Sequence, residues 1–200
     1  MKMVKRYFTI FLFWSGILFA KDSLWDSPAD FNSPAFAEIV QTLSSVKKQE
    51  GSFIQKRIVQ KIQRVFESSG TFLISGKDGI ILNVEKPFAS RSEISKEKMI
   101  QVFPDGTSVE MNAANNAVFR EIAASVQAIF NGNLESLQQK FDIYFVTQKK
   151  KWTIGLRPKE KMIQKALASI LLEGQKNLEK VEMLDGEGNI LSYEFRNSAK

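Results

Sequence analysis

Residues 69–87 read SGTFLISGKDGIILNVEKP, and this stretch decides the fold. The end of one β-like run, Arg64–Ser75, is separated from the next, Gly79–Glu85, by the tight-turn signal Gly76-Lys77-Asp78-Gly79. Lys86-Pro87 then closes the second run. Two strands joined this tightly must lie antiparallel, because a parallel pair needs a crossover of a dozen residues or more. The same grammar continues on both sides. Gly51–Gln60, Arg91–Ser95, Met99–Phe103 and Thr107–Met111 are short β-like runs, and Ser68-Ser69-Gly70, Lys96-Glu97-Lys98 and Pro104-Asp105-Gly106 are turn signals. Residues 51–111 therefore predict an antiparallel meander.

Helical periods bracket this region. Residues 24–34 read as an irregular lead-in. Phe36, Ile39, Val40, Leu43 and Val46 then predict an amphipathic helix over 35–47, with Ser33 as its cap and Pro34 at its first position. Val118, Phe119, Ile122, Ala123, Val126, Ile129 and Phe130 trace one apolar stripe, so Val118–Phe130 is a second helix. Gly132 ends it, and Leu134–Phe141 adds a shorter one. Strands return at Ile143–Gln148, Trp152–Arg157, Ala166–Leu172, Leu178–Leu184 and Ile190–Phe195, the last pair joined by the hairpin turn Asp185–Asn189. The pattern predicts an α+β fold, a single curved antiparallel β-sheet of about ten strands with helices on one face. The space between is core or a ligand cavity.

The N-terminus bears on location. Lys2, Lys5 and Arg6 precede the apolar run Tyr7–Phe19, which ends at Ala20 before Lys21-Asp22-Ser23. This is the layout of a secretory signal peptide over residues 1–20, too short for a stable membrane anchor. The exported chain, residues 21–200, is expected to be one soluble domain. Residues 1–20 hold three of the 28 basic residues and none of the 22 acidic ones, so the net charge of +6 falls to about +3 beyond them. A mild excess of this kind argues against nucleic-acid binding. The chain has no histidine and no cysteine, which removes the usual general base, the common nucleophile pairings and most zinc sites. Binding is expected rather than catalysis, with no cofactor and no metal.

Three local patterns have two readings each. Asp185, Glu187 and Asn189 mimic the start of a calcium loop, but Ile190 and Arg196 stand where that loop needs Gly and Glu, so the hairpin reading is preferred. Lys149-Lys150-Lys151 reads first as a solvated turn. With Arg157, Lys159 and Lys161 it is alternatively a basic edge for docking an acidic partner or an anionic membrane. The stripe on Val118–Phe130 is either ordinary core or, as a lone helical insertion between two β regions, a lid.

In order along the chain, several motifs resemble the periplasmic outer-membrane lipoprotein carriers, the LolA family. Gly51-Ser52-Phe53-Ile54-Gln55-Lys56 is similar to that family's Phe-x-Gln first strand, and Ser69–Ile74 to its second. Gly79–Val84 followed by Glu85-Lys86-Pro87-Phe88 resembles the third strand. Met99–Phe103 with Asp105-Gly106 resembles the strand before the lid, and Trp152-x-Ile154-x-Leu156-x-Pro158 the strand after it. The closing hairpin, Leu178–Leu184 and Ile190–Phe195, fits as well. Three features depart from the pattern. Gly76-Lys77 stands where typical members carry an Arg-Pro latch, Ile80 and Leu82 replace cavity aromatics, and the chain ends soon after Phe195. The chain therefore resembles a divergent member.

The resemblance implies an unclosed half-barrel of about ten or eleven strands under a helical lid. It implies an acyl-chain cavity formed by Phe53, Phe72, Ile74, Ile80, Leu82, Val84, Trp152, Ile154 and Leu156. The lid would be faced by Phe119, Ile122, Val126, Ile129 and Phe130. The implied cargo is an acylated lipoprotein or lipid, passed by a monomer from an inner-membrane releasing transporter to an outer-membrane acceptor. A periplasmic sensor of lipid or mislocalised lipoprotein is the alternative, and an enzyme of lipid metabolism comes third.

Overall fold

The computed structural model describes residues 24–46, 48–75, 79–130 and 133–198, with the backbone alone at 126, 127, 129 and 130. The expected signal segment 1–20 and the Gly76-Lys77 position lie outside the described residues.

Eleven strands form one antiparallel sheet. They are β1 Lys48–Val59, β2 Arg64–Ser75, β3 Gly79–Lys86, β4 Ser90–Ile94, β5 Lys98–Val102, β6 Ser108–Asn112, β7 Phe141–Gln148, β8 Lys151–Pro158, β9 Ser169–Gly174, β10 Leu178–Leu184 and β11 Ile190–Asn197. Their spatial order is β6-β5-β4-β3-β2-β1-β11-β10-β9-β8-β7. Two meanders thus meet where β1 pairs with β11, with Phe53 opposite Phe195. β6 and β7 are left as the two edges, so the sheet does not close. The predicted turn at Ser68–Gly70 is instead part of β2. A bulge lies there, because Ser69 pairs with Lys86 but Gly70 pairs with Val84, which leaves Glu85 extra. Neighbouring backbone crowds in at this bend, where a Cβ on Gly70 would collide with the Asn83 carbonyl.

Among the described residues four α-helices accompany the sheet: α1 Pro34–Ser45, α2 Ala117–Phe130, α3 Leu134–Lys140 and α4 Lys161–Ala166. Ser33 sits at the N-cap of α1, but its hydroxyl makes no capping bond; Pro34 at the first turn begins the helix. Helix α1 buries Phe36, Val40 and Leu43, and the Phe36 ring meets Phe145 edge-on at 5.0 Å. Asn116 starts α2 by accepting from the Phe119 amide at 2.8 Å, and Asn133 starts α3 by accepting from Ser136 at 3.2 Å. Helix α4 corrects the sequence reading, which began a strand at Ala166. Its six residues are too few for a helical period to show, but they bury Ile163, and Leu167 beyond them is also buried.

Strand alternation separates two faces. The inner face carries Phe53, Phe72, Ile74, Leu82, Ile154, Leu156, Ile170 and Leu172 in one continuous core with α1. The outer face carries charge at Lys180, which sits between Glu182 at 3.1 Å and Glu173 at 3.9 Å, and apolar groups at Leu73, Ile81 and the buried Leu171. The lead-in is more ordered than its composition suggests. Ala29 donates to the Ile143 carbonyl at 2.9 Å and Phe145 to the Ser27 carbonyl at 3.0 Å, so it runs along edge strand β7 and covers part of it.

The Asp185–Asn189 turn is a hairpin. The Asp185 carboxylate accepts from the amides of Glu187 (2.9 Å) and Asn189 (2.8 Å) and from the Asn189 side chain (2.8 Å). Burial pushes this carboxyl up, but the Asn189 and Glu187 hydrogen bonds outweigh it, with help from Arg57, and hold it below the usual value. A depressed carboxylate stabilises the fold above its unfolded pKa, near 3.9, and that stability is lost as pH falls through the lower folded value. Asp185→Ala is expected to cost about 1–2 kcal/mol in urea unfolding at neutral pH. The deficit relative to the parent should shrink as pH drops below about 4. A constant deficit across that range would show that the carboxylate's charge is irrelevant.

Candidate functional site

Between the inner face and α2 lies a cavity of about 240 Å³. Its floor comes mainly from strands β2, β3, β10 and β11. Ile74 pairs with Ile80 on β2 and β3, and Leu82 is the next inward residue along β3. Val181, Met183, Leu191, Tyr193 and Phe195 carry the floor across β10 and β11. Phe119, Ile122 and Ala123 line it from α2. The lining is apolar apart from Ser95, the Tyr193 hydroxyl and Lys96, an exposed residue in the turn between β4 and β5. Burial pushes the Tyr193 phenol up to about 12, so it remains neutral at physiological pH. No carboxylate faces this space among the described residues that line it.

Helix α2 is fixed at its start and along one flank. Phe119 packs with Ala113 and Ala123, beside Ile94, Met99 and Met111 of strands β4 to β6. Glu121 accepts from Lys140 at 2.9 Å, which ties α2 to α3. Arg120 donates to the Ala113 carbonyl at 2.9 Å. A larger but more open cleft of about 480 Å³ lies outside this helix, among Lys96, Glu97, Asn112, Arg120, Asn133 and Ser136. Its mixed polar walls suit a solvated groove. The smaller cavity is the one whose chemistry points to a ligand, because it is apolar and sits between separate elements.

A family profile described as outer membrane lipoprotein carrier protein LolA matches residues 44–200, from the end of α1 through the whole sheet. The chain belongs to the LolA family. Solved structures with a similar fold include a LolA superfamily protein from Nitrosomonas europaea, at 7% identity and a TM-score of 0.40, covering 82% of this chain and 92% of that one. Another is a putative outer membrane lipoprotein-sorting protein domain from Vibrio parahaemolyticus, at 11% identity and 0.40, covering 82% and 90%. A DUF1329 family protein from Desulfovibrio piger aligns at 10% and 0.40, covering 80% and 88%. No curated protein sequence matches significantly. The assignment to the LolA family rests on the profile match.

Of the residues assigned to the cavity from sequence, Ile74, Ile80 and Leu82 line it, as do Phe119 and Ile122 of the lid. Phe53, Phe72, Trp152, Ile154 and Leu156 share the inner face but are packed as core, and Val84 is half-buried against that core. They belong to the same packed cluster as Phe36 of α1 and Ile163 of α4, while the void lies against Phe119, Ile122 and Ala123 of α2. The side chains of Val126, Ile129 and Phe130 lie outside the described residues. Alternation had already marked the residues missed. Leu191, Tyr193 and Phe195 alternate with Ser192, Glu194 and Arg196, and Val181 and Met183 alternate with Lys180 and Glu182.

The basic edge is not one surface. Lys149, whose φ is 59°, and Lys150 form the two-residue turn between β7 and β8, with Lys151 pairing beside them. Arg157 and Lys159 stand at the far end of β8, roughly 25 Å away at strand rise. Both are already engaged. The Arg157 guanidinium lies 4.0 Å from the centre of the Trp25 ring, and Lys159 donates to the Gln138 carbonyl at 2.6 Å while facing Asp142 at 3.9 Å. The solvated-turn reading therefore fits the lysine run.

Among the described residues, no group of three or more acidic side chains is placed to hold a metal ion, and no helix is long and apolar enough to cross a membrane.

Proposed function

We propose that this chain is a periplasmic carrier, residues 21–200 of an exported precursor, that shields the acyl chains of a lipoprotein or related lipidated cargo between inner and outer membrane. The observation that carries this reading is the apolar cavity between an open sheet and helix α2, in a chain of the LolA family. Each methylene removed from water stabilises the complex by about 0.8 kcal/mol, so acyl chains need such a shelter to cross an aqueous space. In this reading an inner-membrane transporter loads the carrier and an outer-membrane acceptor unloads it. The roles are those of binding and release, with no chemical step.

The cavity is smaller than the roughly 300–1,000 Å³ of ordinary ligand pockets. An acyl pair therefore requires α2 to move away from the sheet, and cargo binding and lid opening are one event. Leu82→Trp tests the site directly, since the added ring fills the floor from β3. Uptake of a dansyl-labelled fatty acid should fall about ten-fold, and uptake of a diacyl probe by more. A photo-crosslinker at position 82 should capture the probe. One at Ile81, which pairs with Leu73 and Glu93 on the outer side, should not. Equal capture at both positions would sink the cavity reading.

A further inference from the structure

Eight large hydrophobic side chains are exposed among the described residues, and seven of them lie at one end of the sheet. Alternate turns of an antiparallel meander fall at the same end. The β1–β2 turn bears Ile62, Val65 and Phe66, the β3–β4 turn bears Phe88, the β5–β6 pair bears Val102 and Val109, and α4 after β8 bears Met162. Phe31, in the lead-in beside edge strand β7, is the eighth. Scattered exposed hydrophobics are ordinary on any surface; seven gathered at one rim are not.

The β1–β2 tip is the centre of this rim. Every residue from Lys61 to Glu67 is exposed, although Val65 and Phe66 point to opposite faces of β2. The reason is geometric: β3 pairs with β2 only from Ser69 onward, so the tip projects past its neighbour with both faces bare. Phe88, the most exposed at 84%, follows two residues after Lys86, the partner of Ser69. The tip is also held in place, since the Gln60 amide donates to Asn189 Oδ1 at 3.0 Å across to the β10–β11 turn. Lys61, Arg64 and Lys86 flank the apolar tips and are all exposed. Against them stand Glu67, which faces Lys56 at 3.9 Å, and Glu85.

We infer that this rim docks on an anionic lipid bilayer, with Phe66 and Phe88 entering the interface and Lys61, Arg64 and Lys86 on the headgroup phosphates. Apolar side chains on separate projecting turns, ringed by cations, fit a soft plane. The rim also meets the cavity. Leu191, a lining residue, pairs with Arg57, which pairs with Phe66, so one inner-face row runs from the cavity to the tip. The docking surface stands on exposure and charge, and holds whether or not the cavity accepts an acyl chain.

Co-sedimentation with sucrose-loaded vesicles tests it, using phosphatidylcholine alone and phosphatidylcholine with phosphatidylglycerol. The protein should pellet with the anionic vesicles and far less with the neutral ones. The double substitution Phe66→Ser and Phe88→Ser should weaken binding about ten-fold or more at unchanged thermal stability, because both rings are already in water. Lys61→Gln, Arg64→Gln and Lys86→Gln should each weaken it about five-fold, with the salt dependence reduced. Leu82→Trp should bind vesicles as the parent does, which separates this surface from the cargo site. No pelleting by the parent, or pelleting undiminished in the Phe66/Phe88 variant, would overturn the inference. Loss of a concentration-dependent dimer in that variant without vesicle binding would assign the rim to a second copy instead.

Discussion

Ile122→Asp is expected to abolish acyl binding, by about a hundred-fold or more, while leaving the sheet folded. Ile122 is half-buried, lines the cavity from α2, and packs against the core only in part. A carboxylate there faces a void that water can enter when no cargo is bound, so in the free protein it keeps much of its hydration. Once an acyl chain fills the space, that hydration is lost with nothing to replace it, and an unpaired charge in apolar surroundings costs several kcal/mol. The penalty thus falls on the complex. Circular dichroism melts should move by only a few degrees for a chain of this size, alongside a titration with the dansyl fatty acid that shows no uptake. If Ile122 is simply core, the charge is buried in the free protein too. The melt would then collapse, with no selective loss of binding.

The sheet was legible because its information is local. Turn residues at short intervals and a period of two fix antiparallel neighbours, and ten of the eleven observed strands overlap the expected runs closely. The eleventh, β9, was expected to start at Ala166 but starts at Ser169, because a helix too short for periodicity precedes it. The site was less legible because it depends on what the helices leave uncovered. Trp152, Ile154 and Leu156 alternate as cleanly as Leu191, Tyr193 and Phe195 do. Periodicity places both sets on the inner face. It carries no sign that the first set is buried in the packed core while the second borders the cavity beneath α2. The basic residues are spread out for a related reason: β8 carries the chain from Lys151 at one end to Lys159 just past the other, and Trp25, far away in sequence, holds Arg157.

Trp152 provides the reciprocal case, in which the fold fails and the site does not. Its indole is almost wholly buried, and Nε1 donates to the Gln175 carbonyl at 2.7 Å, so both its apolar body and its polar edge are satisfied. The fit is tight on the β9 side, where Trp152 pairs with Gly174 and a Cβ at that glycine would lie 2.7 Å from the indole ring. Truncation to alanine leaves a ring-sized hole that close-packed neighbours cannot fill, and such losses run to about 3–5 kcal/mol. Against a total stability of about 5–15 kcal/mol, this brings the protein near its folding threshold. Urea unfolding of Trp152→Ala should show the loss as a shifted midpoint. Because Trp152 does not line the cavity, acyl affinity per folded molecule should stay within about two-fold of the parent. Trp152→Phe should recover most of the packing but not the hydrogen bond, leaving a deficit of about 1–2 kcal/mol. A Trp152→Ala protein that keeps its stability but loses acyl binding would reverse the division between core and cavity, and would move the binding site from beneath α2 to the face of β8 and β9.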